Sequence, residues 1–144
     1  MKVLSLLEPW ASLIYTGIKQ VETRSWKTAY RGELYIHASL KPVSKKDEKI
    51  QSLIHDFIPS REFTYGAIIA KCQLVDCIYM DEAYVQDMCK NHKVEERCGQ
   101  YAVGRYAWIL DKIEPIQISI PAKGHLGIWN YEVKEKEGKH EINQ

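Results

Sequence analysis

The stretch Pro9-Trp10-Ala11-Ser12-Leu13-Ile14-Tyr15-Thr16-Gly17-Ile18-Lys19-Gln20-Val21-Glu22-Thr23-Arg24-Ser25-Trp26 changes its period halfway, and that change governs how the chain is read. Pro9 has no N–H to lose in the first turn of a helix, and Trp10, Leu13, Ile14 and Gly17 follow at i, i+3, i+4 and i+7. Gly17 stands where a left-handed residue closes such a helix. From Lys19 the period falls to two. Glu22, Arg24 and Trp26 share one face of an extended segment, and Val21, Thr23 and Ser25 share the other. A lysine, a glutamate and an arginine thus lie within six residues of a helix-to-strand junction. In a partly buried cleft Glu22 and Arg24 pair, because unmatched charges stripped of water cost on the order of several kcal/mol. Lys19 then meets an anion or acts as a base. On an exposed strand the same residues are ordinary surface ion pairs, each contributing about 0–1 kcal/mol.

Upstream of this stretch, residues 3–7 read as a short strand. Downstream, Arg31-Gly32 turns into a strand over Glu33–Ser39, with Leu34, Ile36 and Ala38 on one face and Tyr35, His37 and Ser39 on the other. Ser44, with Asp47 three residues on, opens a second helix whose apolar stripe is Ile50, Leu53, Ile54 and Phe57 and which Pro59 stops. Gly66–Met80 is β-rich, Asp81–His92 fits a polar third helix, and Tyr106–Ile113 and Ile116–Ile120 read as two strands. A loop, Pro121–Gly127, precedes a last strand, Ile128–Val133. About six strands and two or three helices, irregularly interspersed, give an α+β barrel rather than a doubly wound sheet. Residues 1–133 form a single domain, and the charged tail 134–144, which loses its apolar content, is expected to be flexible.

At 144 residues with 45% hydrophobic side chains, the chain is long enough for one real core, which excludes whole-chain disorder. The net charge is only +1, yet it is unevenly spread. Residues 1–46 carry eight basic and three acidic side chains (net +5), and residues 47–100 carry six and ten (net −4). A basic first third can form one positive face, or it can be scattered and solvated. Cys72, Cys77, Cys89 and Cys98 contain no C-x-x-C pair, so free thiols are expected rather than zinc or disulfides. The five histidines are too dispersed for metal-ligand spacing; no metal and no cofactor are expected. No apolar run reaches the roughly 18 residues of a membrane helix, and no signal-peptide pattern opens the chain. A cytoplasmic location is the expectation.

The motif P-W-x-x-x-I-x-x-G-x-K-x-x-E-x-R-S-W over Pro9–Trp26 resembles the signature of the ASCH domain (activating signal cointegrator homology), within the PUA-like superfamily of small β-barrels. Arg31-Gly32 with Ile36-His37-Ala38, Gly104-Arg105-Tyr106-Ala107-Trp108 and Lys123-Gly124-His125-Leu126-Gly127-Ile128-Trp129 resemble its later motifs, so the similarity runs over about residues 3–132. The resemblance implies a PUA-like β-barrel with flanking helices, a cleft lined by the G-x-K-x-x-E-x-R segment, and an RNA, nucleoside or nucleotide partner. Lys19, Glu22, Arg24, Trp26, Arg31, His37, Ser39, Arg105, Lys123 and Gly124 are the candidate ligand-binding residues.

The resemblance also admits an enzyme: relatives include an amidohydrolase acting on N4-acetylcytidine and ribonuclease-like members, for which Lys19 and Glu22 are the candidate catalytic residues. In the amidohydrolase branch a threonine follows the lysine by three positions. Here that position is Glu22, and Thr23 belongs to the opposite face of an ideal strand. That branch's glutamate has no secure counterpart, although Glu95 and Glu96 fall in the right region. A small protein-recognising adaptor is a third class, with no specific feature behind it. Trp10 and Trp108, at helical spacing and beside Ile109-Leu110, read as core, and Trp26 is the better stacking surface. Lys123-Gly124 and Gly127 make a loop whose amides can approach a phosphate, as can those of a plain turn.

Overall fold

The computed structural model describes residues 1–133; the charged tail lies outside them. β1 (Lys2–Leu6) leads into α1 (Trp10–Tyr15) and β2 (Val21–Arg24). β3 (Gly32–Ala38), α2 (Glu48–Phe57), β4 (Ala67–Tyr79), α3 (Glu82–Asn91), α4 (Lys93–Arg97), β5 (Tyr106–Pro121) and β6 (Ile128–Asn130) follow. The six strands form one curled sheet, a half-barrel, in the order β2-β5-β4-β3-β1-β6. β1 and β3 run parallel and every other pair is antiparallel. This is the α+β PUA-like barrel expected, with four helices.

Local sequence explains most boundaries. Gly17 adopts φ +85° after α1, a conformation glycine reaches without strain. The chain then turns back, with Lys19 N–H donating to Leu13 O at 2.9 Å. α2 begins three residues later than expected. Asp47, not Ser44, caps it by accepting from Ile50 N–H, while the Ser44 hydroxyl accepts from the Lys46 and Asp47 amides in the preceding turn. The short α4, absent from the sequence reading, has no buried residue and therefore no apolar stripe to find.

The two strands read at 106–113 and 116–120 are one 16-residue strand. Between Lys71↔Glu114 and Gln73↔Asp111 the register gains a residue on β5, where Lys112 takes φ +50°. The bulge bends the strand just before Glu114-Pro115, the apparent break, where both residues stay paired to β4. β5 pairs with β4 from Tyr106 to Pro121, and its first part, Tyr106–Ile109, also pairs with β2 on the other side. The last strand is shorter than read, ending at Asn130 rather than Val133.

The concave face packs Leu4, Leu6, Leu34, Ile36, Leu74, Trp108 and Leu110 against Ala11 and Ile14 of α1. Each buried Leu or Ile contributes about 1.5–3 kcal/mol, so this packing fixes α1, and with it the junction at Lys19, on the sheet. The cysteines are free, and burial pushes the Cys72 thiol up to about 12. No helix of the described residues is long and apolar enough to cross a membrane.

Candidate functional site

Where α1 gives way to β2, the chain turns Lys19 inward. Its side chain is 1% exposed, and Nζ donates to Val21 O at 2.6 Å and Cys98 O at 2.8 Å, with Glu22 Oε1 at 3.5 Å. Two of the three ammonium hydrogens are thus engaged by carbonyls, and Glu22 lies at ion-pair distance. The other Glu22 oxygen accepts from Arg24 Nε–H at 2.8 Å. Glu22 therefore bridges two cations, and pairs with Arg24 as its place on the strand suggests. Lys19 ties the start of β2 to the loop after α4.

Arg24 is the outward member of this row. Nε is committed to Glu22 and Nη2 donates to Ser5 O at 3.3 Å, leaving three of five N–H donors without a protein acceptor among the described residues. Its guanidinium lies over the Trp26 ring at 5.2 Å and near Trp108 at 5.8 Å, which fixes the plane.

Arg24 faces a cleft of about 540 Å³ between the ends of β1 and β2, α1, α2 and the loop Cys98–Gln100. The volume suits one small ligand. Leu6, Leu7 and Trp10 supply its apolar wall; Ser5, Thr23, Ser39, Gly99 and Gln100 add polar edges. Four cations line it, Lys19, Arg24, Lys49 and Arg97, against the single carboxylate of Glu22. Arg97 is held by Asp56 at 2.9 Å and Ser52 at 3.1 Å, so its position is set.

The candidate residues separate into three groups. Lys19, Glu22, Arg24 and Ser39 line the cleft. Trp26 is 45% exposed and stands behind Arg24, its ring edge against Trp108. Arg105 clamps the cleft wall, donating to Gln100 O and Thr23 O.

The others sit elsewhere. Arg31 lies at the opposite end of β3 from Ser39, bonded to Thr28 O and Tyr30 O and facing Asp76 at 3.8 Å. His37 is buried: Ala122 O can only accept, so Nε2 carries the proton and donates to it at 2.7 Å. Nδ1 then accepts from Ser5 Oγ at 3.0 Å, and Ser5 Oγ accepts from Trp129 Nε1–H at 3.0 Å. Burial pushes the His37 pKa down, which agrees with that neutral tautomer. Gly124 packs on this pair: a Cβ there would meet His37 Cε1 and Ser5 Oγ at 3.0 Å. Lys123 is exposed beside it.

Three features escaped sequence reasoning. Trp10, read as core, is only half-buried and shows one side to the cleft. Lys49 and Arg97 come from the acidic middle of the chain, where a block charge count hides them. Thr23 keeps to the face opposite Glu22 and still lines the cleft, because the 98–100 loop folds over it and its Oγ1 accepts from Gln100 N–H at 2.9 Å.

Glu95 lies outside this cleft. Its oxygens accept from the Gln20 and Val21 amides, and burial pushes its carboxyl up against the smaller opposing effect of those bonds and Lys19. Among the described residues no group of three His, Cys, Asp or Glu side chains is placed to hold a metal ion.

The family model described as the ASCH domain matches residues 4–125. Activating signal cointegrator 1 from Homo sapiens is 27% identical over 135 residues, covering 94% of this chain and 23% of that protein. The Mus musculus protein of the same name is 26% identical over 141 residues, with the same coverage. The chain thus spans less than a quarter of the length of these curated relatives.

Proposed function

Since the chain belongs to the ASCH domain family, we propose that the cleft binds one unstacked nucleotide, free or within an RNA strand. The observation that carries this reading is the imbalance of charge: four cations and one carboxylate around a volume of about 540 Å³. Glu22 offsets one charge of the Lys19 and Arg24 pair it bridges and Asp56 offsets Arg97, which leaves Lys49 and the open end of the row at Arg24 to face an incoming phosphate. Arg24 offers its planar fork to a phosphate or to a base edge. Trp10 offers an aromatic face on which any base can stack, a contact contributing about 1–3 kcal/mol.

Binding has more support than hydrolysis. Two short hydrogen bonds hold Lys19 Nζ on Val21 O and Cys98 O, with Glu22 at 3.5 Å, so this nitrogen is committed inside the protein rather than presented to a substrate. Both Glu22 oxygens are held as well. Lys19 and Glu22 therefore shape and brace the cleft, and Arg24, Lys49 and Trp10 contact the ligand.

The test is fluorescence anisotropy with a labelled single-stranded RNA, beside chromatography of the RNA and of N4-acetylcytidine after long incubation. Saturable binding with both compounds recovered intact supports the reading. Turnover of either, lost in Lys19→Arg, replaces it with the hydrolase.

A further inference from the structure

The end of the sheet that opens into the cleft carries a rim of a different kind. Leu6 pairs with Ala38, Ala38 with Ala67, and Ala67 with Pro121, so these four residues form one row across β1, β3, β4 and β5. A belt of backbone hydrogen bonds closes the row: Ser39 N–H to Leu6 O, Gly66 N–H to Ala38 O and Ala122 N–H to Gly66 O. Just past it stand Leu7, which lines the cleft, Leu40, 71% exposed, and the loop Ala122–Gly127 with Leu126, 98% exposed.

That loop is held firmly although its tip is bare. Ala122 O accepts from His37, Gly124 packs on His37 and Ser5, and the His125 ring meets Trp129 at 4.9 Å. Leu126 is two residues from Gly124, within about 7 Å of chain, and Ser5, against which Gly124 packs, also lines the cleft. The segments that leave the rim are basic in sequence: residues 39–46 and 121–130 contain four lysines and no acidic residue, with Lys41 next to Leu40 and Lys123 three residues before Leu126.

We infer that Leu126 is a wedge that enters the nucleic-acid stack where the nucleotide bound in the cleft has left it. This rests on the nucleotide reading of the cleft and extends it from single strands to paired RNA. A cleft of this size takes a nucleotide only once it is unstacked, and unstacking leaves a gap between its neighbours. An apolar side chain filling that gap offsets part of the lost stacking, a use for which leucine is suited. The lysines of the rim, Lys41 and Lys123 foremost, match phosphates on either side. The rim thus selects RNA stems with a weak pair, and the cleft receives the released nucleotide.

The test uses the full chain with two RNAs, a hairpin carrying 2-aminopurine in its stem and an unpaired strand of similar composition, with vesicles of phosphatidylcholine and phosphatidylserine as a third probe. Wild type should bind both RNAs, and 2-aminopurine should brighten as its stacking is lost. Leu126→Ala, at a position that packs on nothing, should lose most of the brightening and about tenfold in hairpin affinity. It should bind the unpaired strand within about twofold of wild type. Leu126→Phe should keep the brightening. Equal brightening by Leu126→Ala, or equal weakening on both RNAs, overturns the wedge while leaving the nucleotide reading intact. Vesicle binding that depends on Leu126, with hairpin behaviour unchanged, also overturns it. Wild type that binds neither RNA removes the nucleotide reading itself, before any variant is compared.

Discussion

Ser5 joins two polar networks made of unlike groups. Its carbonyl oxygen accepts from Arg24 in the charged row Lys19–Glu22–Arg24, and its hydroxyl stands between Trp129 and His37 in a neutral chain that ends on Ala122 O. The neutral chain is closed: every donor has one acceptor, Gly124 covers it, and no group is left over. The charged row is open at one end, where Arg24 lines the cleft with three donors that have no acceptor among the described residues. A buried polar network with nothing left over positions backbone; one with a residual charge at a cavity mouth has donors to offer a ligand, as proposed for this cleft. That difference separates scaffold from site here more clearly than residue type does, since histidine and serine are as chemically capable as lysine and glutamate.

The largest effect should come from removing the inner end of the charged row. Lys19→Met leaves Glu22 with one partner and two buried carbonyls with none, and should cost about 3–5 kcal/mol in urea unfolding. Ser5→Ala should cost less, about 1–3 kcal/mol, by leaving Trp129 Nε1–H and His37 Nδ1 unpaired. It should also leave RNA affinity within about twofold of wild type, because the carbonyl that holds Arg24 stays. An equal loss of stability in the two variants, or a Ser5→Ala protein that no longer binds RNA, would erase the distinction between the networks. Trp10→Leu keeps apolar volume on α1 and removes the aromatic face; it should weaken RNA binding about tenfold.

The smallest effect is a pH dependence. His37 is neutral in the fold with its pKa below the ordinary 6.5. As pH falls through 6.5 the unfolded chain takes up a proton that the folded one refuses, so stability declines toward the lower folded value. Glu8 and Glu95, both pushed up by burial, act in the opposite sense above their ordinary 4.5. The comparison to make is therefore wild type against His37→Gln, whose stability should be flatter between pH 7 and pH 5.5. A His37→Gln profile parallel to wild type would show that His37 titrates freely.

The change of period across Pro9–Trp26 was enough to place α1, β2 and the Glu22–Arg24 pair, because each follows from spacing within one element. Alternation likewise showed Leu34, Ile36 and Ala38 buried. It also put His37 and Ser39 on the other face, but a strand's second face can meet solvent or more protein, and β6 with its loop covers His37. Lys49 illustrates the limit from the other side. It falls outside the apolar stripe of α2, yet only the packing of α2 on Leu13 of α1 and on Cys98 turns that solvent face into a cleft wall. Glu114-Pro115 reads as a strand end because proline has no N–H to give a ladder, yet both residues are paired with β4. Trp10 met two demands, packing against the core and lining the cleft, and helical spacing reports only the first.

If an anionic ligand is held at the open end of the charged row, as proposed, RNA affinity must fall as salt rises. The most direct measurement is the salt dependence of RNA affinity for wild type and for Lys49→Gln, an exposed position on α2 whose change leaves the fold intact. With two to three phosphate contacts the wild-type slope of log K against log salt should be about −2, and the variant's should be shallower by about 0.7. A wild-type slope near zero, or an identical slope in the variant, would contradict the claim.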